Sequence, residues 1–359
     1  MRRMVPVLAA ALLIIGGVGL RAASAATLSV CNAGCQFSSV QDAVNAAAAA
    51  GDTISIGPGT YAGAIVIDKN VTVLGAGAAQ TTIIPSAPQP DSDLGVVTVV
   101  DGVSVTISSL TISGASAFSS GVYNAGALTF QFSVVSHNSG EVSGGGIHNA
   151  GALTVSQSTV KQNVSYFGGG GIENDGGIAT IIRSTISDNG TFGYGGGIEN
   201  TVGTVTIVNS TLTRNGGAPG GGIFNRGVMI VNSSTVSDNG SFSGGGGITN
   251  FTGAMTVNHT IIAANNAGNG GGGGILNYGA NGAFTLNNST VTENIADSGG
   301  GGISNYVTLT LNNSAVTDNS VNFGPGGGIW NGVFAPWINR LALHHTIVSG
   351  NAPDDCFGC

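Results

Sequence analysis

Charge is scarce in this chain of 359 residues: Lys, Arg, Asp and Glu together make up 7%, where ~25% is usual. Aromatic residues are 6%, and there are only 4 Cys and 9 Pro. Each shortage excludes something. With 42% hydrophobic residues and so little charge, the chain is not of the disordered kind, which needs the opposite balance. Without long Ala/Leu/Glu/Lys stretches it is neither a helical bundle nor a coiled coil. A formal net charge of −8 with no basic face disfavours nucleic acid as a partner. There is no phosphate loop, nucleophile elbow, zinc-helix motif or calcium nonapeptide repeat. Gly is what the chain has in excess, at 63 residues. These do not recur every third position with Pro, so collagen is excluded. Short β segments joined by tight Gly turns suit the composition.

The N-terminus reads as a secretory signal over residues 1–25. Arg2 and Arg3 precede the apolar run Val5 to Leu20, and Ala23-Ser24-Ala25 supplies small residues for cleavage. That run is short for a membrane span of ~20 residues, and no later segment is apolar enough, so no span is expected after cleavage. The four Cys form two close pairs, Cys31 with Cys35 and Cys356 with Cys359. In an oxidising compartment each pair can close a local disulfide. One shared zinc site is the alternative, but it needs the two ends of the chain to meet. The expected location is extracellular or at the cell surface.

Internal repetition dominates the rest. Gly-rich runs end in Ile at 147, 172, 198, 223, 248, 275, 303 and 329, spaced 25 to 28 residues apart. Two places after each Ile stands Asn: Asn149, Asn174, Asn200, Asn225, Asn250, Asn277, Asn305 and Asn331. A second block, Ser-Thr-Val-x-x-Asn, follows each Ile, as in Ser158 to Asn163 and Ser210 to Asn215. Between them, triplets such as Leu153-Thr154-Val155 and Val205-Thr206-Ile207 alternate with period two, the mark of a strand buried on one face. Three short strands per repeat cannot bury a core alone, but stacked coil upon coil they can. The expectation is all-β: a right-handed parallel β-helix with three sheets, about nine regular coils and further N-terminal coils. Stacking sets equivalent residues ~4.8 Å apart, so the Asn column is read as an inward hydrogen-bonded ladder. Asn also tolerates the left-handed backbone of a sharp bend. Residues 26–51 read as an N-terminal cap, with Phe37, Val40, Ala43 and Val44 at helical spacing and a stop at Gly51. The β-helix is placed at 52–351 and a C-terminal tail at 352–359.

Val40-Gln-Asp-Ala-Val-Asn, Gly51-Asp-Thr-Ile-Ser-Ile, Pro58-Gly-Thr-Tyr61 and Val71-Thr-Val-Leu-Gly-Ala-Gly77 resemble the opening coils of the pectin-lyase-like superfamily. The Gly-Gly-Gly-Ile-x-Asn and Val236-Ser-Asp-Asn239 blocks are similar to the repeats of polymorphic outer-membrane proteins, which form adhesive passengers. The resemblance implies the fold; the superfamily holds lyases, hydrolases, esterases, epimerases and non-enzymes. Its polygalacturonase, pectinesterase and pectate-lyase residue sets have no match. The only Asp-Asp is Asp354-Asp355, in the tail.

Two constellations are candidates for chemistry. The residue after each repeat Ile is expected to point outward, which stacks His148, Glu173 and Glu199 on neighbouring coils with carboxylates ~5 Å apart. Such carboxylates can share a proton, hold a cation or act as acid and base. The plainer reading is two solvated Glu. Aromatic residues near the Gly runs, Tyr166, Phe192 and Tyr194, together with Trp330, are candidates for sugar stacking. The plainer reading there is loop anchoring. Asp188, Arg214 and Asp238 read as a surface charge ladder of small worth. Thr columns such as Thr154, Thr180, Thr206 and Thr159, Thr185, Thr211 resemble the flat faces of ice-binding solenoids, and equally follow from β propensity. The sequence points first to a non-enzymatic adhesin-like or carbohydrate-binding protein, needing no metal or cofactor, with a polysaccharide or cell-surface glycan as partner. The alternative is an extracellular lyase or glycoside hydrolase on acidic polysaccharide, using Glu173 and Glu199 with His148 or Arg183; calcium enters only there.

Overall fold

A computed structural model of the chain describes residues 24–48, 51–86, 95–116, 119–141, 144–332 and 340–359. Most of the expected signal segment, residues 1–23, lies outside the described residues. What is described is an all-β solenoid of about 12 turns, a right-handed parallel β-helix. Every strand pairing is parallel, and equivalent positions meet coil after coil: Ile147 with Ile172, Ile172 with Ile198, Ile198 with Ile223. The inward Ile of each Gly run, the Leu and Val of each x-Thr-x strand and the Val of each Ser-Thr-Val strand form one continuous core. Each coil adds only a few apolar side chains, yet repetition buries a large total area. Among the described residues, no helix is long and apolar enough to cross a membrane.

The three sheets have 23, 12 and 8 strands. Their composition differs from the sequence reading in one respect. The Ile-x-Asn strand and the following x-Thr-x strand belong to the same large sheet, and in two coils they run together as Ile172–Ile182 and Ile198–Val208. The third sheet is made instead of short strands just after the second-block Asn, such as Val164–Ser165 and Gly190–Thr191. Six of the eight have two residues and the last two have four, too little period-two pattern to be read from sequence. The two Thr columns do lie on different sheets.

Buried Asn side chains hold the corners. Nδ2 of Asn124, Asn149, Asn174, Asn200, Asn225, Asn250, Asn277 and Asn305 donates in each case to Oδ1 of the equivalent Asn on the next coil, at 2.7–3.0 Å. The second-block Asn do this twice over: the backbone N–H and the Nδ2 of Asn215 both meet Asn239 Oδ1, at 2.9 and 3.0 Å. None of these Asn carries the left-handed backbone that the sequence reading allowed it. For the second-block Asn that conformation falls on the residue just before, as at Gln162, Asp188 and Arg214 (φ 53–56°). Turning the corner one residue early keeps the Asn extended and its amide aimed along the stack.

The N-terminal cap is shorter than expected. The helix spans Val40–Ala46, with the Ser39 side chain accepting from the Asp42 N–H and with Val40, Ala43 and Val44 buried. It stops before Gly51, and Lys69 Nζ binds the carbonyls of Val44, Asn45 and Ala47 at its C-terminal end. Phe37 is not helical: it bridges to Val30, where the Cys31–Cys35 disulfide turns the chain back. Cys356 and Cys359 form the second disulfide. Asp355 Oδ1 accepts both the N–H and the Nδ2 of Asn351, taking the place of the next Asn in the ladder. Asp354 likewise accepts from Gly326 and Gly327. The acidic pair in the tail is therefore a lid on the last coil.

Candidate functional site

The column after each repeat Ile leaves the core, as its alternation requires, but it does not reach open solvent. Glu199, Phe224, Thr249 and Ser304 are 3%, 1%, 0% and 0% exposed. The Gly runs cause this. A Cβ on Gly195 would collide with the Ile198 carbonyl, and one on Gly245 with Thr249 Oγ1. Only Gly lets the backbone lie this flat across the outer face of the strand. The expected outward column is thus corrected: it is roofed by backbone.

Under that roof, His148, Glu173 and Glu199 do occupy consecutive coils in register. The His148 ring stacks on Tyr123 at 5.2 Å. Its Nδ1 lies 3.2 Å from Glu173 Oε2, an ion-pair distance without hydrogen-bond alignment. Glu173 Oε2 also accepts the Gly144 N–H at 2.6 Å. Glu199 Oε1 meets Arg226 Nη1 at 3.2 Å. Burial, reinforced by the negative charge of Glu173 and only partly opposed by Arg226, pushes the Glu199 carboxyl up to about 8. Two neighbouring carboxyls thus differ in kind, one partly exposed and held by the Gly144 N–H, the other shut away.

Arg226 links this buried group to an open one. Its guanidinium lies over Tyr194 at 4.5 Å, over Phe224 at 4.6 Å and over Phe251 at 5.8 Å. Tyr194 is one wall of a groove of about 750 Å³ that also takes in Ala218, Pro219, Ser243, Leu276, Tyr278, Ser298 and Tyr306. The groove opens because the roofed column carries the smaller Thr249, Leu276 and Ser304 after the bulky Phe224. Phe251 backs Tyr278 at 4.7 Å, and Trp330 backs Tyr306 at 4.8 Å. Burial raises the hydroxyls of Tyr278 and Tyr306 above the ordinary phenol range.

The expected aromatic set therefore divides. Tyr194 lines the groove, and Trp330 supports it through Tyr306. Tyr166 and Phe192 do not line it. They form their own cluster with Phe167, centroids 4.9 and 5.3 Å apart and rings 53–74% exposed. Sequence reasoning missed Phe251, Tyr278 and Tyr306, and counted Arg226 only as one of five basic residues in the repeats without placing it in a site. All four stand three residues after a repeat Ile, so reading that column beside the first would have found them. Elsewhere, Arg214 binds Asp188 bidentately at 2.7 and 3.0 Å on the exposed surface, holding the Asp188 carboxyl below its usual range. A shallower trough of about 370 Å³ follows Thr72, Thr106, Thr129, Thr154 and Thr180. Among the described residues, no group of three His, Cys, Asp or Glu is placed to hold a metal.

Against this geometry stand the likenesses to solved structures. The A-module of the mannuronan C-5 epimerase AlgE6 from Azotobacter vinelandii aligns over 88% of this chain and 95% of its own, with 18% identity and a TM-score of 0.52. The chain shares its fold, a right-handed parallel β-helix. The AlgE4 A-module of the same organism aligns over 89% of this chain and 94% of its own, at 13% identity and a TM-score of 0.47. Pectate lyase Pel9A aligns over 94% and 79%, at 13% identity and 0.42. No protein-family model matches the sequence, and neither does any curated protein. At these identities the likeness is one of fold, and function has to be argued from the site.

Proposed function

We propose that this is a secreted or cell-surface β-helix protein that binds a polysaccharide or cell-surface glycan, in an adhesin-like role and without catalysis. One observation carries the reading: the groove of about 750 Å³ walled by Tyr194, Tyr278 and Tyr306, with two of its rings buttressed from behind. Sugars pack their C–H faces on aromatic rings, while the phenol hydroxyls and the backbone of Gly270 and Gly271 offer polar partners. The groove runs along the coil axis, so it suits a chain ligand. The signal-like N-terminus and the two disulfides favour an oxidising, extracellular compartment. A glycan array followed by titration with Tyr278→Ala and Tyr306→Ala tests it. The expected result is at least one bound glycan and a loss of about tenfold or more in each variant. No bound glycan, or a bound glycan indifferent to both changes, overturns it.

A catalytic reading has one observation in its favour. Glu173 and Glu199 are adjacent carboxyls, and burial raises that of Glu199 to about 8, the kind of proton-holding carboxyl that acid catalysis at a glycosidic bond needs. Against it, Glu199 is 3% exposed beneath Gly backbone, out of reach of a polymer. Incubation with a panel of polyuronates, with and without calcium, decides between the two. Product release that falls in both Glu173→Gln and Glu199→Gln establishes the lyase or hydrolase.

A further inference from the structure

The first ring of the groove, Tyr194, is tied to charge. Arg226 covers its face, and behind Arg226 stands Glu199. The Arg226 side chain is 28% exposed and that of Glu199 only 4%. The cation therefore meets solvent at the end of the groove, while its counter-charge is enclosed behind it. A guanidinium has five N–H donors, and Glu199 takes one of them. None of the residues lining the groove is itself acidic or basic, so Arg226 is the charge a ligand meets on reaching Tyr194.

We propose that Arg226 sorts the groove's ligands by charge and that Glu199 decides when it does so. While the Glu199 carboxyl is neutral, the guanidinium is an uncompensated cation, offered to the anionic group of a sugar lying beside Tyr194. Once Glu199 ionises, the pair closes on itself and the preference disappears. This rests on the groove being a glycan site.

The surroundings of Glu199 set the range in which this happens. Burial raises it most, Glu173 on the preceding coil adds to that, Arg226 lowers it and Asp175 raises it a little further, so the change falls near pH 8. Glu173 is itself engaged by the Gly144 N–H and lies beside His148. On the groove side Arg226 faces Tyr194 and acts on the phenol of Tyr278, whose own ionisation burial delays. In most proteins an Arg–Glu pair is already ionised at neutral pH; here the carboxyl is shut in tightly enough to remain protonated.

The test uses two oligosaccharides of equal length, an oligogalacturonate and a neutral one, titrated calorimetrically into the intact protein between pH 6 and 9.5. In wild type, affinity for the uronate falls about tenfold across pH 8, the worth of one charge-assisted contact. The neutral sugar shows no trend. Glu199→Gln, a near-isosteric change, keeps the higher uronate affinity at every pH, and Arg226→Gln keeps the lower. A uronate affinity that still falls across pH 8 in Glu199→Gln overturns the proposal. If neither sugar binds, the glycan reading has failed, and a carbon-13 titration of Glu199, assigned by its loss in Glu199→Gln, judges the gate alone. Titration in the ordinary carboxylate range overturns the gate. A transition near pH 8 that moves with Arg226→Gln upholds it.

Discussion

Replacing Asn239 by Ala removes four buried hydrogen bonds at once. Asn239 Oδ1 receives the N–H and the Nδ2 of Asn215, and its own Nδ2 binds the Leu212 carbonyl and Asn265 Oδ1, all at 2.9–3.1 Å. The residue is 1% exposed, so water cannot readily take over. A typical buried hydrogen bond contributes ~1 kcal/mol net, and an orphaned buried donor costs ~1–3 kcal/mol. The Asn215 N–H is the orphan. The expected loss is about 4 kcal/mol. The control is Asn258→Ala. Asn258 also sits in an Asn ladder, binding Asn232 and Asn287 at 2.7 and 2.8 Å, but that ladder is half-exposed on the outside of the sheet, where water replaces what is lost. Its change should cost under ~1 kcal/mol.

Urea denaturation gives the midpoints, and hydrogen exchange gives the location, since a solenoid can open a few coils at a time. Protection in Asn239→Ala should fall most at coils 210–265. If the two variants differ by less than ~1 kcal/mol, or if protection is lost evenly along the rod, the inner ladder is not what holds the corners.

Three further outcomes follow from particular contacts. The folded Glu199 carboxyl sits at about 8 against an ordinary 4.5, so the folded state holds its proton more tightly. That stabilisation is complete below the ordinary value and is lost between pH ~4.5 and 8, at up to ~1.4 kcal/mol per unit; Glu199→Gln should flatten this part of a thermal-melt profile against pH. Gly221→Ala should cost about 2–3 kcal/mol in urea midpoint, because its Cβ would strike the carbonyls of Gly240 and Gly246, while Gly240→Ala, with nothing within 4 Å, should be nearly neutral. Asp355→Ala should lose protection from exchange in residues 340–355 alone, by about 1–2 kcal/mol, because it removes the acceptor that closes the Asn351 ladder, and Asp355→Asn should restore it.

Legibility followed repetition. The Ile and Asn columns were readable because each occurs on eight coils, and a residue that must fit between copies of itself leaves the same letter every time. The third sheet was not readable: strands of two to four residues show no period. Phe37 kept helical spacing with Val40 and Val44 but was claimed by a bridge to Val30, a tertiary contact that spacing does not encode. The roof over Glu199 was visible only as an excess of Gly, and Gly in a run says that backbone comes close without saying to what.

The candidate site is illegible for the converse reason. A binding groove on a solenoid has to break the repeat somewhere, because identical coils make a uniform wall. Here the break is steric. The roofed column runs Glu199, Phe224, Thr249, Leu276, Ser304, and where the side chains shrink, room opens for Tyr278 and Tyr306 to line a hollow instead of a ridge. The column three residues after each Ile changes in step, from Asp175 and Thr201 through Arg226 to Phe251, Tyr278 and Tyr306. A solenoid that only had to stand would have no use for that change, since Thr or Ser at every coil preserves the ladders equally well. Filling the hollow with Ser298→Phe, a change at an exposed residue of its wall, should therefore leave the Asn ladders and the melting temperature within a few degrees of wild type while abolishing glycan binding; binding that survives a filled groove places the ligand elsewhere on the rod.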